Sequence, residues 1–275
     1  MAILNDEQIE QYRQSGYCAP IDIMSSSEAL TLRQELERCE RDYPEHIHGK
    51  KRNNTHHFLQ FMDDIAFHPR IVGAVQDILG PDLLLYGSVL FIKEPASSGY
   101  VSWHQDATYM GLDPYEFVTP WLALTPSNPD NGCMSVIPHS HLDKIQPHHD
   151  SFEENNILTR GQRVDGVNEE NAVDLVLEPG QMSLHHPCLV HGSKPNLSQD
   201  RRIGIALQAY MTPNVKQTIG QGYALHISGE DRFNHFHLAK RPDINASPDD
   251  IAWRDRVEED WSKILYKGAK TTREY

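Results

Sequence analysis

The 275-residue sequence contains no run of about eighteen consecutive apolar residues, and no basic segment followed by an apolar stretch stands near its start. We therefore expect neither a membrane-spanning helix nor an export signal. Cysteine is sparse and no CxxC pair occurs, which argues against a disulfide framework or a zinc knuckle and favours reduced thiols in a cytoplasmic protein. The four cysteines are Cys18, Cys39, Cys133 and Cys188.

Positive charge is in deficit, with 25 lysine and arginine residues against 39 aspartate and glutamate residues and a net charge of −14. Such a surface repels nucleic acids and anionic membranes, so we expect a small-molecule substrate and neither nucleic acid nor membrane as a partner. The sequence leaves the oligomeric state open. Histidine is in excess, with 16 residues, and because imidazole is a common metal ligand this is a reason to look for a metal site.

Capping patterns and apolar periodicity predict helices in the first third of the chain and near its end. Asn5 can cap the first helix, and Ser25 with Glu28 forms a capping-box pattern at the start of the second. Residues 50–64 are polar and lack a helical period, so we interpret them as a loop. Helices are predicted over residues 5–15, 26–42, 69–79 and about 251–265.

From residue 83 the sequence changes to short apolar segments separated by Gly, Pro, Asn and Asp, which favours a sandwich or jelly roll over alternating βαβ units. The polar residues 139–170 are interpreted as a strand-poor insertion across one mouth of a barrel. We expect a single domain over residues 1–275, with helices of about 5–80 packed on a jelly-roll core of about 83–230. Strands are predicted over residues 83–93, 118–125, 133–137, 173–177, 182–190 and 203–211.

The first candidate for a metal site is the triplet His104-Gln105-Asp106, which follows a long apolar segment and a glycine-containing loop. On an extended backbone residues i and i+2 project to the same side, so His104 and Asp106 can face one ion. Taken alone, the triplet is also explained by a hydrogen-bonded pair on a strand. His191, at the end of another apolar segment and followed by Gly192, is the best candidate for a third ligand.

Arg202 stands at the start of a further predicted strand, after His191 in the chain. A guanidinium held on a rigid strand can bind a carboxylate through two parallel hydrogen bonds, which a lysine cannot match. Two histidines and one carboxylate form the ligand set of non-haem iron(II) oxygenases. Together with Arg202, they predict an oxygenase that needs iron and a dicarboxylate.

Longer sequence blocks surround these residues, in one order along residues 5–213. They are WHQDATY at residues 103–109, Trp121, NGCMSVIPHSH at residues 131–141, EPG at residues 178–180, HGS at residues 191–193 and Arg202. Together the blocks resemble the phytanoyl-CoA dioxygenase family. The resemblance implies a mainly β fold with flanking helices, the double-stranded β-helix (jelly roll, cupin-like). It also implies a 2-oxoglutarate-dependent dioxygenase (hydroxylase) that uses Fe(II), 2-oxoglutarate and O2.

The resemblance further implies roles for individual residues. It assigns iron binding and the catalytic centre to His104, Asp106 and His191. It assigns the distal carboxylate of 2-oxoglutarate to Arg202. Three more residues match positions that line or support the cosubstrate pocket, although they are also explained as a surface amide, a core residue and a turn hydroxyl; these are Gln105, Trp121 and Ser193. Relatives often carry glycine where this chain has His139.

Other histidines compete for the metal. His185 and His186 precede His191 in the same apolar segment, and one of them could face the iron instead. They lack the following Gly-Ser and the correctly spaced arginine, so we interpret them as packing residues or as neighbours of the site. His148 and His149 belong to the polar insertion, where solvated side chains are more common than ligands.

The residues of these blocks look more similar to those of small bacterial members of the family, which include hydroxylases of aminoalkylphosphonates, than to those of the acyl-CoA enzyme. We therefore predict hydroxylation of 2-aminoethylphosphonate or its N-methylated analogue, at the carbon next to phosphorus. Tyr109 could face the ammonium group, because aromatic rings attract cations. The candidate donors to the acid group are Lys50, Lys51, Arg52, His56 and Arg163.

Other functions remain open at this stage. The same chemistry could act on an amino-acid-like compound, a betaine or an acyl-CoA. A non-catalytic cupin-like module that binds a metal or ligand is an alternative from another class, since jelly rolls host many functions. Arg202 has no task in such a module. A zinc hydrolase would need an activated water and a nearby base, and no HExxH element occurs.

Overall fold

The computed structural model describes residues 2–143 and 145–269, apart from the side chain of Lys50. The helices in this part of the chain are α1 (Asp6–Ser15), α2 (Ser26–Asp42), α3 (Gln60–Ala66), α4 (Pro69–Leu79), α5 (Ala107–Met110) and α6 (Pro248–Leu265). The strands are β1 (Tyr17–Asp22), β2 (Leu83–Lys93), β3 (Val101–His104), β4 (Leu112–Asp113), β5 (Phe117–Ala123), β6 (Met134–Val136), β7 (His148–Asp150), β8 (Gln162–Val164), β9 (Val173–Asp174), β10 (Gln181–His185), β11 (His191–Ser193), β12 (Arg202–Met211), β13 (Lys216–Gln217), β14 (Tyr223–Ser228) and β15 (His237–Leu238).

Two sheets form the body of the fold, which is the jelly roll expected from the sequence. The larger has the strand order β1-β10-β5-β12-β2-β14-β15, and the smaller has the order β3-β11-β6-β9. Neighbouring strands are antiparallel throughout, except for β14 and β15. Strands distant in sequence therefore lie side by side, and residues far apart in the chain can meet in one site.

The larger sheet has two different faces, because side chains alternate along each strand. On β12, Ile203, Ile205 and Leu207 are buried in the main core together with residues of α2, α3 and α4. Arg202 and Ala206 alternate with these residues along β12 and instead line a cavity. Residues of the smaller sheet line the same cavity. One face of the sheet thus holds the helices, and the other face forms a wall of the site.

The best-predicted elements have strong local signals. Residues 26–42, 69–79 and 83–93 form α2, α4 and β2 with the predicted bounds. Asn5 and Ser25 cap α1 and α2, and each cap is part of a capping box. No helix in residues 2–143 or 145–269 combines the length and the apolar composition needed to cross a membrane.

The prediction of a loop over residues 50–64 is wrong. Two short 3-10 helices, Gly49–Arg52 and Thr55–His57, are followed there by α3. Phe61 and Met62 of α3 are buried in the main core. The helix has only seven residues, and its N-cap residue, Leu59, makes no side-chain cap hydrogen bond. Neither a period nor a cap therefore marks it in the sequence.

The prediction of one strand over residues 182–190 is also wrong. β10 ends at His185 in the larger sheet, and the chain turns at Pro187 before β11 begins at His191 in the smaller sheet. Proline has no N–H for a ladder hydrogen bond, which is consistent with the break. One apolar segment therefore carries the chain from one sheet to the other and brings His185 and His191 to the same site.

The polar insertion contains more structure than predicted, because β7 and β8 pair as an antiparallel hairpin. Residues 154–159 of the same segment line the cavity. His139, where relatives often have glycine, has φ 69°. This lies in the left-handed region, where glycine is the least strained residue.

Candidate active site

Three buried side chains converge at the end of β3. His104 is the last residue of β3, Asp106 follows it directly before α5, and His191 lies opposite His104 on β11. The Nε2 atoms of His104 and His191 are 3.4 and 3.7 Å from Oδ1 of Asp106. One ligand atom from each of the three lies within 4.8 Å of the others, so the three can hold a single metal ion.

Backbone carbonyls set the orientation of both imidazoles. Nδ1 of His104 donates to the carbonyl of Ser102 at 2.8 Å, and Nδ1 of His191 donates to the carbonyl of Leu189 at 2.9 Å. A carbonyl only accepts, so each Nδ1 carries a hydrogen, and in the neutral imidazole it is Nε2, on the side of Asp106, that has the lone pair for a metal. Two such nitrogens and one carboxylate on one side of an ion fit iron(II) and leave further coordination positions open.

The charge states in this cluster also fit a metal. Burial and the neighbouring His104 hold the pKa of His191 well below its usual range, so its imidazole is neutral, the form that binds metals. Burial alone would raise the pKa of Asp106. The polar contacts of this carboxylate with the surrounding imidazoles, His191 first among them, outweigh this and hold that pKa well below its usual range.

The second oxygen of Asp106 has its own partners. Oδ2 accepts hydrogen bonds from Nε2 of His185 and from Oγ1 of Thr119, both at 3.3 Å. His185 therefore contacts a candidate ligand and leaves Oδ1 facing the two imidazoles. His186 points elsewhere, because its Nδ1 accepts from the backbone N–H of Cys188 at 3.0 Å.

A cavity of about 410 Å³ opens beside this cluster. Residues of both sheets and of the insertion line it, and Trp261 and Leu265 close part of it from α6. A volume of this order holds a small cosubstrate together with a second small molecule.

Arg202 lies in this cavity with only 2 % of its surface exposed. Its guanidinium lies over the indole ring of Trp121 at 5.2 Å, its Nη1 donates to the carbonyl of Phe91 at 3.4 Å, and its Nε has no partner. No acidic side chain of the described residues lies within 4.0 Å of it. Burial lowers its pKa to about 10, so it stays charged near neutral pH. A buried cation without an anion is costly, and a bound carboxylate would remove that cost.

Lys93 is a residue of this region that sequence reasoning missed. It ends β2 directly opposite Arg202 on β12 and is also 2 % exposed. Its Nζ donates to Oγ of Ser193 at 2.7 Å, to the carbonyl of Gly132 at 3.3 Å and to the carbonyl of Lys194. Burial and the facing guanidinium lower the pKa of Lys93 to about 6. The sequence predicts Lys93 at the end of a strand, but it does not show that Lys93 pairs with Arg202.

The three residues expected to line or support the cosubstrate pocket divide into two groups. Trp121 and Ser193 line the cavity. Gln105 does not, because its amide is buried between two backbone groups: Nε2 donates to the carbonyl of Cys188 at 2.7 Å, and Oε1 accepts from the N–H of Gln146 at 2.8 Å. This contact places Gln105 behind the cluster, where it joins the insertion to the loop before β11.

Two of the three predicted substrate contacts lie elsewhere. His56 is buried outside the cavity lining, with Nδ1 hydrogen-bonded to Oγ of Ser88 at 2.8 Å. Arg163 is exposed outside the lining and pairs with Glu153 and Asp165 at 3.8 and 3.6 Å. Both expectations are corrected: His56 lies in a 3-10 helix and Arg163 on β8, and the directions of their side chains depend on packing that the sequence does not display.

Other candidate donors differ in the same way. Tyr109 does line the cavity, where its ring stacks on His104 at 5.7 Å and its hydroxyl is buried without a partner. Arg52 also lines the cavity. Nζ of Lys51 donates instead to the carbonyl of Glu45 at 2.6 Å. The side chain of Lys50 lies outside the described residues.

Known proteins share this arrangement of sequence and fold. The family model described as phytanoyl-CoA dioxygenase (PhyH) matches residues 12–204. The peroxisomal phytanoyl-CoA dioxygenase of Bos taurus is 26% identical over 228 residues, which cover 74% of this chain and 68% of that protein. A probable alpha-ketoglutarate-dependent hypophosphite dioxygenase of Stutzerimonas stutzeri is 25% identical over 215 residues, which cover 71% of this chain and 75% of that protein.

A solved structure supports the same assignment. The apo form of the non-heme monooxygenase ThoJ superposes with a TM-score of 0.84 at 30% identity, covering 94% of this chain and 98% of that one. The family match spans more than half of the chain and includes the whole metal cluster and Arg202. This chain belongs to the phytanoyl-CoA dioxygenase family and is an iron(II)- and 2-oxoglutarate-dependent oxygenase.

Proposed function

We propose that this chain hydroxylates a small polar metabolite, with 2-aminoethylphosphonate or its N-methylated analogue as the leading candidate and the carbon next to phosphorus as the position of attack. One observation carries the proposed assignment of the site. The cluster of His104, Asp106 and His191 shares a cavity with the buried Arg202, for which the described residues supply no acid. A metal ion and a dicarboxylate are the two ligands that such a cavity suits.

The proposed division of labour follows from these contacts. His104, Asp106 and His191 hold the iron, and Arg202 binds the distal carboxylate of 2-oxoglutarate through paired hydrogen bonds. Iron and 2-oxoglutarate, when bound, supply the oxidation of an unactivated C–H bond, with release of succinate and carbon dioxide. The protein positions the substrate carbon beside the metal and keeps bulk water away.

The remaining cavity wall has charges of both signs, which supports a zwitterionic substrate. Arg52 and Asn53 contribute to the lining on one side, and Glu154 contributes from the insertion. The guanidinium of Arg52 is held by Glu94 at 3.3 Å and Glu40 at 3.6 Å, while its Nε has no partner among the residues that the structure describes. That N–H can bind a phosphonate oxygen, and Glu154 and Tyr109 can attract an ammonium group.

Similarity to a probable hypophosphite dioxygenase adds weight to a phosphorus oxyanion as the substrate. Hypophosphite has no carbon to hydroxylate, so a related oxygenase that accepts a carbon–phosphorus compound would differ mainly in the room beside the anion contact. The cavity of about 410 Å³ provides such room.

Apolar residues near the cavity mouth favour a second substrate class. Ile157, Leu158, Trp261 and Leu265 all contribute to the lining, so a betaine or an amino-acid-like compound with a hydrocarbon part would also find contacts. An acyl-CoA is less well suited, because a chain of net charge −14 gives no long-range attraction to a polyanion. A non-catalytic module leaves the buried Arg202 without a function.

We also propose a cytoplasmic location, since all four cysteines are free and buried, as in proteins of reducing compartments.

The substrate proposal is tested by succinate release from 2-oxoglutarate across a panel of phosphonates, betaines, amino acids and acyl-CoA esters. We expect the strongest stimulation by 2-aminoethylphosphonate or its N-methylated analogue, with the hydroxylated carbon next to phosphorus. Arg52→Met should raise the KM for the phosphonate roughly tenfold and leave the KM for 2-oxoglutarate unchanged. Stimulation by an acyl-CoA alone would refute the substrate proposal and leave the iron site intact.

A further inference from the structure

Lys93 and Arg202 form an unusual pair of buried basic side chains. They are direct partners across the antiparallel strands β2 and β12, so their side chains project from the same face of the sheet. Each is 2 % exposed, and no acidic side chain of the described residues lies within 4.0 Å of either. Burial, and the repulsion between two basic side chains directly opposite each other on a sheet, lower the pKa of Lys93 to about 6. An anion bound to Arg202 would favour the charged form of Lys93, so the pair suits an anionic ligand.

The contacts of Lys93 show what it organises. Its Nζ reaches three oxygens: the Ser193 hydroxyl and the carbonyls of Gly132 and Lys194. These oxygens belong to two separate loops. The loops are closely packed, because a Cβ added at Gly132 would lie 2.1 Å from the carbonyl oxygen of Lys194. The side-chain nitrogen of Lys93 therefore links the segment that carries Ser193 to the end of β2.

The hydrogen bond to Ser193 determines the direction of the hydroxyl hydrogen. A carboxylate bound to Arg202 favours the protonated form of Lys93, and an ammonium group only donates. Oγ of Ser193 then accepts from Lys93 and is left with its own hydrogen to donate. Ser193 lines the cavity together with Arg202. A carboxylate bound to the guanidinium is the natural acceptor for that hydrogen, and its negative charge also offsets the repulsion between the two cations.

We propose that Lys93 is a positioning residue for 2-oxoglutarate: it turns the Ser193 hydroxyl toward the carboxylate held by Arg202. This inference rests on the proposed role of Arg202 and Ser193 as the cosubstrate site. It gives a distinct function to a buried lysine that touches neither the metal cluster nor the substrate wall.

A double-mutant cycle tests the inference by equilibrium binding. The dissociation constant of 2-oxoglutarate is measured by calorimetry on iron-loaded protein without oxygen, for wild type, Lys93→Met, Ser193→Ala and the double variant. We expect each single change to weaken binding roughly tenfold. The double variant should be weakened about as much as one single variant, because both changes remove the same hydrogen bond. Iron affinity should be unchanged in all four proteins.

Lys194→Met is the matched control, since Lys194 contributes its backbone carbonyl to Lys93 and its side chain is exposed. If Lys93→Met does not fold, Lys93→Gln replaces it. Its amide keeps N–H donors, so it should bind 2-oxoglutarate more tightly than the double variant and show a larger thermal shift on ligand addition.

Wild-type affinity in Lys93→Met or Lys93→Gln, or fully additive losses in the cycle, would overturn the proposal. Arg202→Ala distinguishes this failure from a failure of the site assignment. If Arg202→Ala also binds 2-oxoglutarate normally, the cosubstrate site itself is misplaced. If it binds weakly while the Lys93 variants bind normally, only the role of Lys93 is wrong.

Discussion

Arg202 rests on the indole ring of Trp121, with its guanidinium carbon 5.2 Å from the ring centre. Both residues lie on strands of the larger sheet and face the cavity. The ring covers one side of the guanidinium and excludes water there, which strengthens any charge contact made on the other side. This pair defines the end of the cavity at which we place the distal carboxylate of 2-oxoglutarate.

Arg202→Ala should therefore weaken the binding of 2-oxoglutarate roughly a hundredfold or more, because a desolvated pair of charged hydrogen bonds is lost. Arg201→Ala is the control: Arg201 has the same charge and the next position, but it pairs with Glu40 and Glu94 outside the cavity. Calorimetric titration of both variants checks the prediction. Equal affinities in the two would contradict it.

The metal cluster gives a second prediction. Replacing His104, Asp106 or His191 by Ala should abolish turnover and weaken iron binding. His185→Ala should lower iron affinity by roughly tenfold, because it removes a partner of Oδ2 of Asp106.

His186→Ala is the matched control for His185, since His186 is the next residue and makes no contact with Asp106 in the described part of the chain. Iron content after dialysis and iron titration are the measurements. An indispensable His186 together with a dispensable His191 would show that the third ligand is misassigned.

Gly204 provides a steric prediction. A Cβ at this position would lie 1.9 Å from the Trp121 ring, so Gly204→Ala must displace the indole that supports Arg202. We expect a loss of about 1–3 kcal/mol of unfolding free energy from overpacking, together with weaker 2-oxoglutarate binding. Gly99→Ala is the control, because its nearest contact is the tip of Ile157 at 3.3 Å. Unchanged affinity for 2-oxoglutarate in Gly204→Ala would show that the position of the Trp121 ring does not affect cosubstrate binding.

Glu258 provides a prediction for pH. It accepts hydrogen bonds from Asn53 and Asn54, and burial raises its pKa from an ordinary 4.5 to about 7. A raised pKa means that the fold favours the protonated acid. The acid therefore contributes its full stabilisation below about pH 4.5, and this contribution is lost as the pH rises through about 7.

Glu258→Gln replaces the acid by a neutral amide of the same size. Its free energy of unfolding should match wild type near pH 5 and exceed it by about 2 kcal/mol near pH 8. Glu259→Gln, an exposed neighbour that pairs with Lys263, should show no such pH dependence. Denaturant unfolding at the two pH values measures this. If the difference in unfolding free energy between Glu258→Gln and wild type is the same at both pH values, the role given to Glu258 is contradicted.

Local signals explain why much of the fold could be predicted. The capping box at Ser25 and the apolar periodicity mark α2, and the continuous apolar run marks β2 as a strand buried on both faces. The motif blocks located His104, Asp106, His191 and Arg202. The extended backbone expected through Asp106 is not found, because β3 ends at His104 and Asp106 has helical backbone angles, φ −56° and ψ −41°. These residues meet in one cavity as expected.

The unpredicted parts depend on packing between distant segments. His56 was predicted in a loop that contacts the substrate, yet it lies in the 3-10 helix Thr55–His57 and is buried against Ser88 of β2. The sequence did not show that Lys93 lies opposite Arg202, because this pairing depends on the register between β2 and β12. The direction of a side chain in a short loop, and the register between strands far apart in the chain, are tertiary properties.

The most direct test of the account is the binding of 2-oxoglutarate with and without iron(II), measured by calorimetry in the absence of oxygen. If the cluster and Arg202 hold the two ends of one cosubstrate, iron should strengthen 2-oxoglutarate binding by at least tenfold or so, and 2-oxoglutarate should strengthen iron binding by the same factor. Asp106→Ala should remove this coupling. Binding of 2-oxoglutarate that is equally strong with and without iron, in wild type as in Asp106→Ala, would contradict the account.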